Sequence, residues 1–129
     1  MKSIVEVIKQ LPDFIGADGK SETEIAKAES LLGVAFAKDY RQYLRDIGLA
    51  CFDGHELTGI ANISRVDVVT VTLEQREKAE SVPKTWYVIE EINVDGIVIW
   101  QNEAGEVFRT SQNCSVIKIA DSLLEYISW

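Results

Sequence analysis

Cys51, Asp53 and His55 lie close together in the chain. A thiol beside an imidazole, with a carboxylate to orient the ring, is the equipment of a cysteine hydrolase. The i, i+2, i+4 spacing places the three on one face only where the backbone is extended. The segment carries no nucleophile motif. His55 is also the sole histidine, and structural zinc takes four ligands from spaced Cys and His pairs. The segment therefore reads as a loop after Gly48 with a packed cysteine and an exposed histidine. No catalytic residue, cofactor site or metal site is expected here.

A second group is acidic: Glu90, Glu91, Asp95, Glu103 and Glu106. Two carboxyls can share acid and base work when an apolar pocket raises one pKa. These five fall on strands and turns that water reaches. They suit either a charged sheet edge that resists stray pairing or a surface for a partner. Trp100 stands among them. If Asp95-Gly96 is a two-residue hairpin turn, Val94 faces Ile97, Ile92 faces Ile99 and Glu91 faces Trp100. A core indole and a partner anchor both fit that position. Gly54, Gly59, Gly96 and Gly105 are isolated, and none belongs to a phosphate-cradling loop.

Charge narrows the partner. The 129 residues hold 13 Lys and Arg against 21 Asp and Glu, a net charge of -8. Residues 1–50 hold 7 cations and 8 anions; residues 51–129 hold 6 and 13. Nucleic acid and anionic membrane both need cations to neutralise them, so a basic macromolecule is the expected partner. Glu6 and Lys9 interrupt the apolar N-terminal stretch before it reaches signal-peptide length. No uncharged run approaches the roughly 20 residues of a membrane helix. The expected compartment is the cytoplasm, where Cys51 and Cys114 stay reduced and the sequons at Asn62 and Asn113 go unused.

The elements that position these residues follow from periodicity. Ile4, Val5, Ile8 and Leu11 predict a short helix over 2–11. Ser21 and Glu24 form a capping box ahead of Ile25, Ala28 and Leu32, and Gly33 stops that helix. Phe36, Tyr40, Tyr43, Leu44 and Ile47 form a stripe that predicts a helix over 36–47. Residues 55–60 read as a strand and about 65–78 as a helix. The strands 86–92, 97–101, 106–110 and 116–119 follow, and Ala120, Leu123, Leu124 and Ile127 form a last helical stripe. Without a repeat or linker, residues 1–129 make one domain.

The order of these pieces resembles the SUKH superfamily, which includes fungal cell-wall-synthesis regulators and bacterial immunity proteins. Ile25-Ala26-Lys27-Ala28-Glu29-Ser30-Leu31-Leu32-Gly33 is similar to its "AE..LG" helix. Asp39-Tyr40-Arg41-Gln42-Tyr43-Leu44 and Gly48 resemble its "LP..YR.FL...NG" segment, with Phe36-Ala37 in place of "LP" and Ile47-Gly48 in place of "NG". Asp95 to Trp100 resembles the family hairpin and Gly105-Glu106-Val107-Phe108 its "G.V" strand. Ile119 to Ile127 resembles its closing helix. The resemblance implies an α+β domain with helices packed on a mainly antiparallel sheet. It implies a binding protein without catalytic residues: an immunity protein for a basic toxin domain, a nuclease in the leading case. A regulatory scaffold like the fungal relatives is the alternative. Glu90, Glu91, Asp95, Trp100, Glu103 and Glu106 are the candidate partner-binding residues.

Overall fold

The computed structural model describes residues 3–128 apart from 93 and 113–115. Cys114, the Asn113 sequon and Trp129 lie outside the described residues. Among the described residues five α-helices and seven strands follow in the order α1 (Ile4–Gln10), β1 (Ile15–Gly16), α2 (Glu22–Leu32), α3 (Lys38–Asp46), β2 (Ala50–Phe52), β3 (His55–Glu56), α4 (Val68–Lys78), β4 (Tyr87–Glu91), β5 (Val98–Gln101), β6 (Val107–Thr110), β7 (Val116–Ala120) and α5 (Leu123–Ile127).

Local chemistry sets the helix ends. Ser21 accepts from the Glu24 amide and Glu24 returns to the Ser21 amide, so the capping box of α2 forms as its sequence predicts. The helix ends on Gly33 at φ 67°. Asp67 accepts from the Thr70 amide and starts α4 at Val68, behind a 3-10 turn over Ser64–Val66. That cap explains why the helix begins later than residue 65. All five residues of the 36–47 stripe are buried. Its regular part is shorter, because Ala37 is the N-cap and the Phe36 amide donates to Glu29 Oε2 at 2.8 Å.

The strands divide into two antiparallel sheets, β1-β2-β3 and β4-β5-β6-β7. The first sheet corrects the expectation of a loop after Gly48. Asp53 and Gly54 both take positive φ, 45° and 82°, the pairing a tight hairpin needs. Phe52 then faces His55 and Cys51 faces Glu56. The predicted strand over 55–60 stops at Glu56, because the chain changes partner. Leu57 bridges Glu90 and the Thr58 amide donates to the Ile89 carbonyl. That step links the two sheets.

Two apolar clusters cover the larger sheet. Helices α1, α2, α3 and α5 bury their stripes with Tyr87, Ile89, Ile99 and Val107. Val71 of α4 and Val82 pack with Val88, Val98 and Trp100. Alternate residues of β5 thus enter different clusters, and all four are buried. Buried phenols find partners. Tyr43 donates to the Thr58 carbonyl at 2.9 Å and Tyr87 to Gln101 Oε1 at 2.7 Å. The Thr58 hydroxyl donates to the Val88 carbonyl at 2.8 Å, so Tyr40 is the donor in its 2.8 Å bond to Thr58.

Candidate functional site: exposed acids and a buried carboxylate

The β4–β5 turn forms at Val94–Ile97, closed by the Ile97 amide on the Val94 carbonyl. Asp95 and Gly96 have φ of 53° and 64°, as a primed turn requires. The register differs from the expected one. Glu91 faces Val98, Glu90 faces Ile99, and Val88 faces Trp100 after an irregularity between Val88 and Glu90. The Ile92 amide reaches the Ile97 carbonyl, so the closed strand pair starts further from the turn than a bare two-residue connection would place it.

The six candidate partner residues do not form one patch. Glu91 and Asp95 sit at one end of β5, Glu103 and Glu106 at the other, roughly 13 Å apart for four extended residues. Asp95 and Glu103 are exposed. Glu91 is half-buried and accepts from Gln75 Nε2 at 2.5 Å. Glu106 is held by Asn102 and by Lys118 Nζ at 2.9 Å. The Asn102 bond first, then Lys118, lowers its pKa.

Trp100 and Glu90 are interior, which corrects the expectation that they face a partner. Trp100 is 0% exposed and donates from Nε1 to Thr110 Oγ1 at 2.9 Å. Its indole fills the cluster beneath α4. Glu90 is 2% exposed. Its Oε1 takes the Tyr126 hydroxyl at 2.5 Å and His55 Nδ1 at 2.9 Å; its Oε2 takes the Glu56 amide at 2.7 Å. A carboxyl in the interior requires such a set of donors. They come from β3 and α5, so no local pattern in the sequence marks the site.

This arrangement raises the pKa of His55, first through the hydrogen bond to Glu90. Burial, then the charge of Glu90, pushes the Tyr126 phenol well above its usual range. His55 is not an exposed histidine: it lies against Phe52 and Tyr126, with ring centroids at 5.7 and 5.4 Å. Cys51 carries a free thiol. The tight hairpin sets Cys51 with Glu56 on one face and His55 with Phe52 on the other. Thiol and imidazole thus point to opposite sides, and the thiolate–imidazole pair weighed from the sequence does not assemble. Among the described residues, no group of three or more His, Cys, Asp and Glu could hold a metal, and no helix is long and apolar enough to cross a membrane.

The frame is α+β, with helices packed on antiparallel sheets. The chain belongs to the SMI1-KNR4 cell-wall family, whose SUKH_5 model matches residues 1–128. Members of this family are generally non-enzymatic immunity or regulatory proteins that act through protein–protein interaction. A crystal structure of a protein from Pseudomonas syringae pv. tomato is similar in fold, with a TM-score of 0.73 and 14% identity. The match covers 97% of this chain and 93% of that one. No curated protein matches.

Proposed function

We propose that this chain is a cytoplasmic immunity protein that binds and neutralises a cognate toxin domain, a basic one and in the leading case a nuclease. The observation that carries this reading is the charge imbalance of residues 51–129, with 13 anions against 6 cations. A nuclease is basic where it holds nucleic acid, and an acidic protein can occupy that surface. Glu91, Asp95, Glu103 and Glu106 serve in this reading as steering charges at the two ends of the larger sheet. A regulatory scaffold is the second reading, favoured by the cell-wall description of the matched family.

The test is co-purification with the product of the adjacent gene, followed by association kinetics. Glu91→Lys with Glu103→Lys should slow association and weaken its salt dependence, because rim charges act mainly on encounter. A folded Glu91→Lys, Glu103→Lys, Glu106→Lys protein with unchanged kinetics would place the interface elsewhere. Failure of the unaltered chain to bind that product would favour the scaffold.

A further inference from the structure

Ile15 and Ile63 are 68% and 54% exposed. Isolated surface isoleucines need no explanation, but these two line the same shallow cleft. Its volume is about 170 Å³, and Ala17, Leu49, Cys51 and Val66 also line it. An apolar cavity of roughly 150 Å³ holds a benzene ring, so this one suits a leucine or phenylalanine side chain. The cleft opens beside β1, an edge strand of the smaller sheet. The one cation among its lining residues is Arg65, and Glu56 already pairs with it.

The ends of β1 are acidic. Asp13 precedes Ile15, Asp18 follows it, and Asp53 is tied to the same region by its amide on the Pro12 carbonyl at 2.7 Å. All three aspartates are exposed, and none takes part in an ion pair among the described residues. They flank lining residues along the chain, Asp18 next to Ala17, and Asp13 and Asp53 close to Ile15 and Cys51; an apolar centre with charge around it is the anatomy of a protein interface. The border charge selects the occupant. A second copy would set three aspartates against three aspartates across a two-fold axis, whereas a basic surface meets them with opposite charge.

We infer that the Ile15–Ile63 cleft anchors the partner by taking one of its apolar side chains, with Asp13, Asp18 and Asp53 receiving the cations around it. This rests on the immunity reading and adds the anchor that Trp100 does not supply.

The probe is the adjacent gene's toxin domain, catalytically disabled, measured against the whole chain by surface plasmon resonance. Ile15→Ser with Ile63→Ser should weaken binding roughly 30-fold or more, chiefly through faster dissociation. The circular dichroism spectrum and melting curve should stay as in the unaltered chain, since both side chains face water. Alkylation of Cys51, followed in a Cys114→Ala background, should slow in the complex. If the unaltered chain binds but the double variant binds equally well and Cys51 stays equally reactive, the cleft assignment is overturned and the immunity reading stands. If the free chain dimerises and the double variant does not, the occupant is a second copy, and the assignment to a basic partner is overturned. If the unaltered chain does not bind the toxin domain, the immunity reading falls and takes the assigned occupant with it.

Discussion

Replacing Glu90 by alanine should remove much of the stability of the fold. The carboxylate accepts from Tyr126, His55 and the Glu56 amide. Tyr126 is 5% exposed, and its hydroxyl would lose the Glu90 oxygen in a setting that water reaches poorly. The Glu56 amide would lose the same partner. Each stranded buried donor costs about 1–3 kcal/mol. The His55 side chain is 25% exposed and can turn to water, so it adds less. The expected loss is about 3–5 kcal/mol, the range for removing one partner of a buried charged pair. Set against about 5–15 kcal/mol for a domain of ordinary size, that is a large share. Tyr126→Phe leaves the other two donors in place and should cost about 1.5–3 kcal/mol. Urea titration followed by tryptophan fluorescence reads both from the midpoint, provided the slope is constant. The double variant should cost less than the two singles together, because they share one interaction. A Glu90→Ala protein within about 0.5 kcal/mol of the unaltered chain, or strict additivity with Tyr126→Phe, would refute the account of a carboxylate held by its donors; the scale of comparison is an ordinary surface substitution.

Three further outcomes follow from the same structure. Gly96→Val should cost about 1 kcal/mol or more in the same titration, since a β-branched residue resists positive φ and its Cβ would stand 2.6 Å from Gln112 Cγ. Tyr40→Phe should cost only about 1 kcal/mol, because Thr58 keeps its bond to Val88, while Tyr40→Asp should cost several kcal/mol by burying an unpaired carboxyl. The third concerns pH: the fold raises the pKa of His55, so the folded state holds that proton more tightly than the unfolded chain does. The resulting stabilisation is complete below the unfolded value of about 6.5 and is lost as pH rises through the folded value. The urea midpoint should therefore fall on going from about pH 6 into the mildly alkaline range, and a His55→Gln protein should lack that component of the slope.

The helices were legible because their signals are local. Ser21 and Glu24 stand three residues apart, and the stripe from Phe36 to Ile47 repeats within a single helix. Asp95-Gly96 announced its turn in the same way. Asp53-Gly54 carries an equal signal, but it follows a strand of only three residues, too short to show alternation, so the segment after Gly48 reads as a loop and only the strand from residue 55 is legible. Glu90 and Trp100 escaped for a different reason. Both faces of β4 and β5 are covered, so neither strand is apolar on one side and wet on the other. The donors that let Glu90 sit inside lie 34 to 36 residues away in either direction, and no short window contains them. The Ile15–Ile63 cleft is non-local too, since it joins an edge strand to the loop before α4.

The same spacing governs the order in which the molecule can mature. Glu90 leaves water at full benefit only when the β2–β3 hairpin is already in place and α5 has docked. A chain emerging from the ribosome makes the hairpin first and the carboxylate next, but residue 126 comes last. Without its donors the carboxylate favours hydration over burial. Docking of Tyr126 closes a second loop of more than thirty residues at the oxygen atom that His55 also reaches. Contacts of that sequence separation are slow to form, and the bond from Tyr126 spans 36 residues.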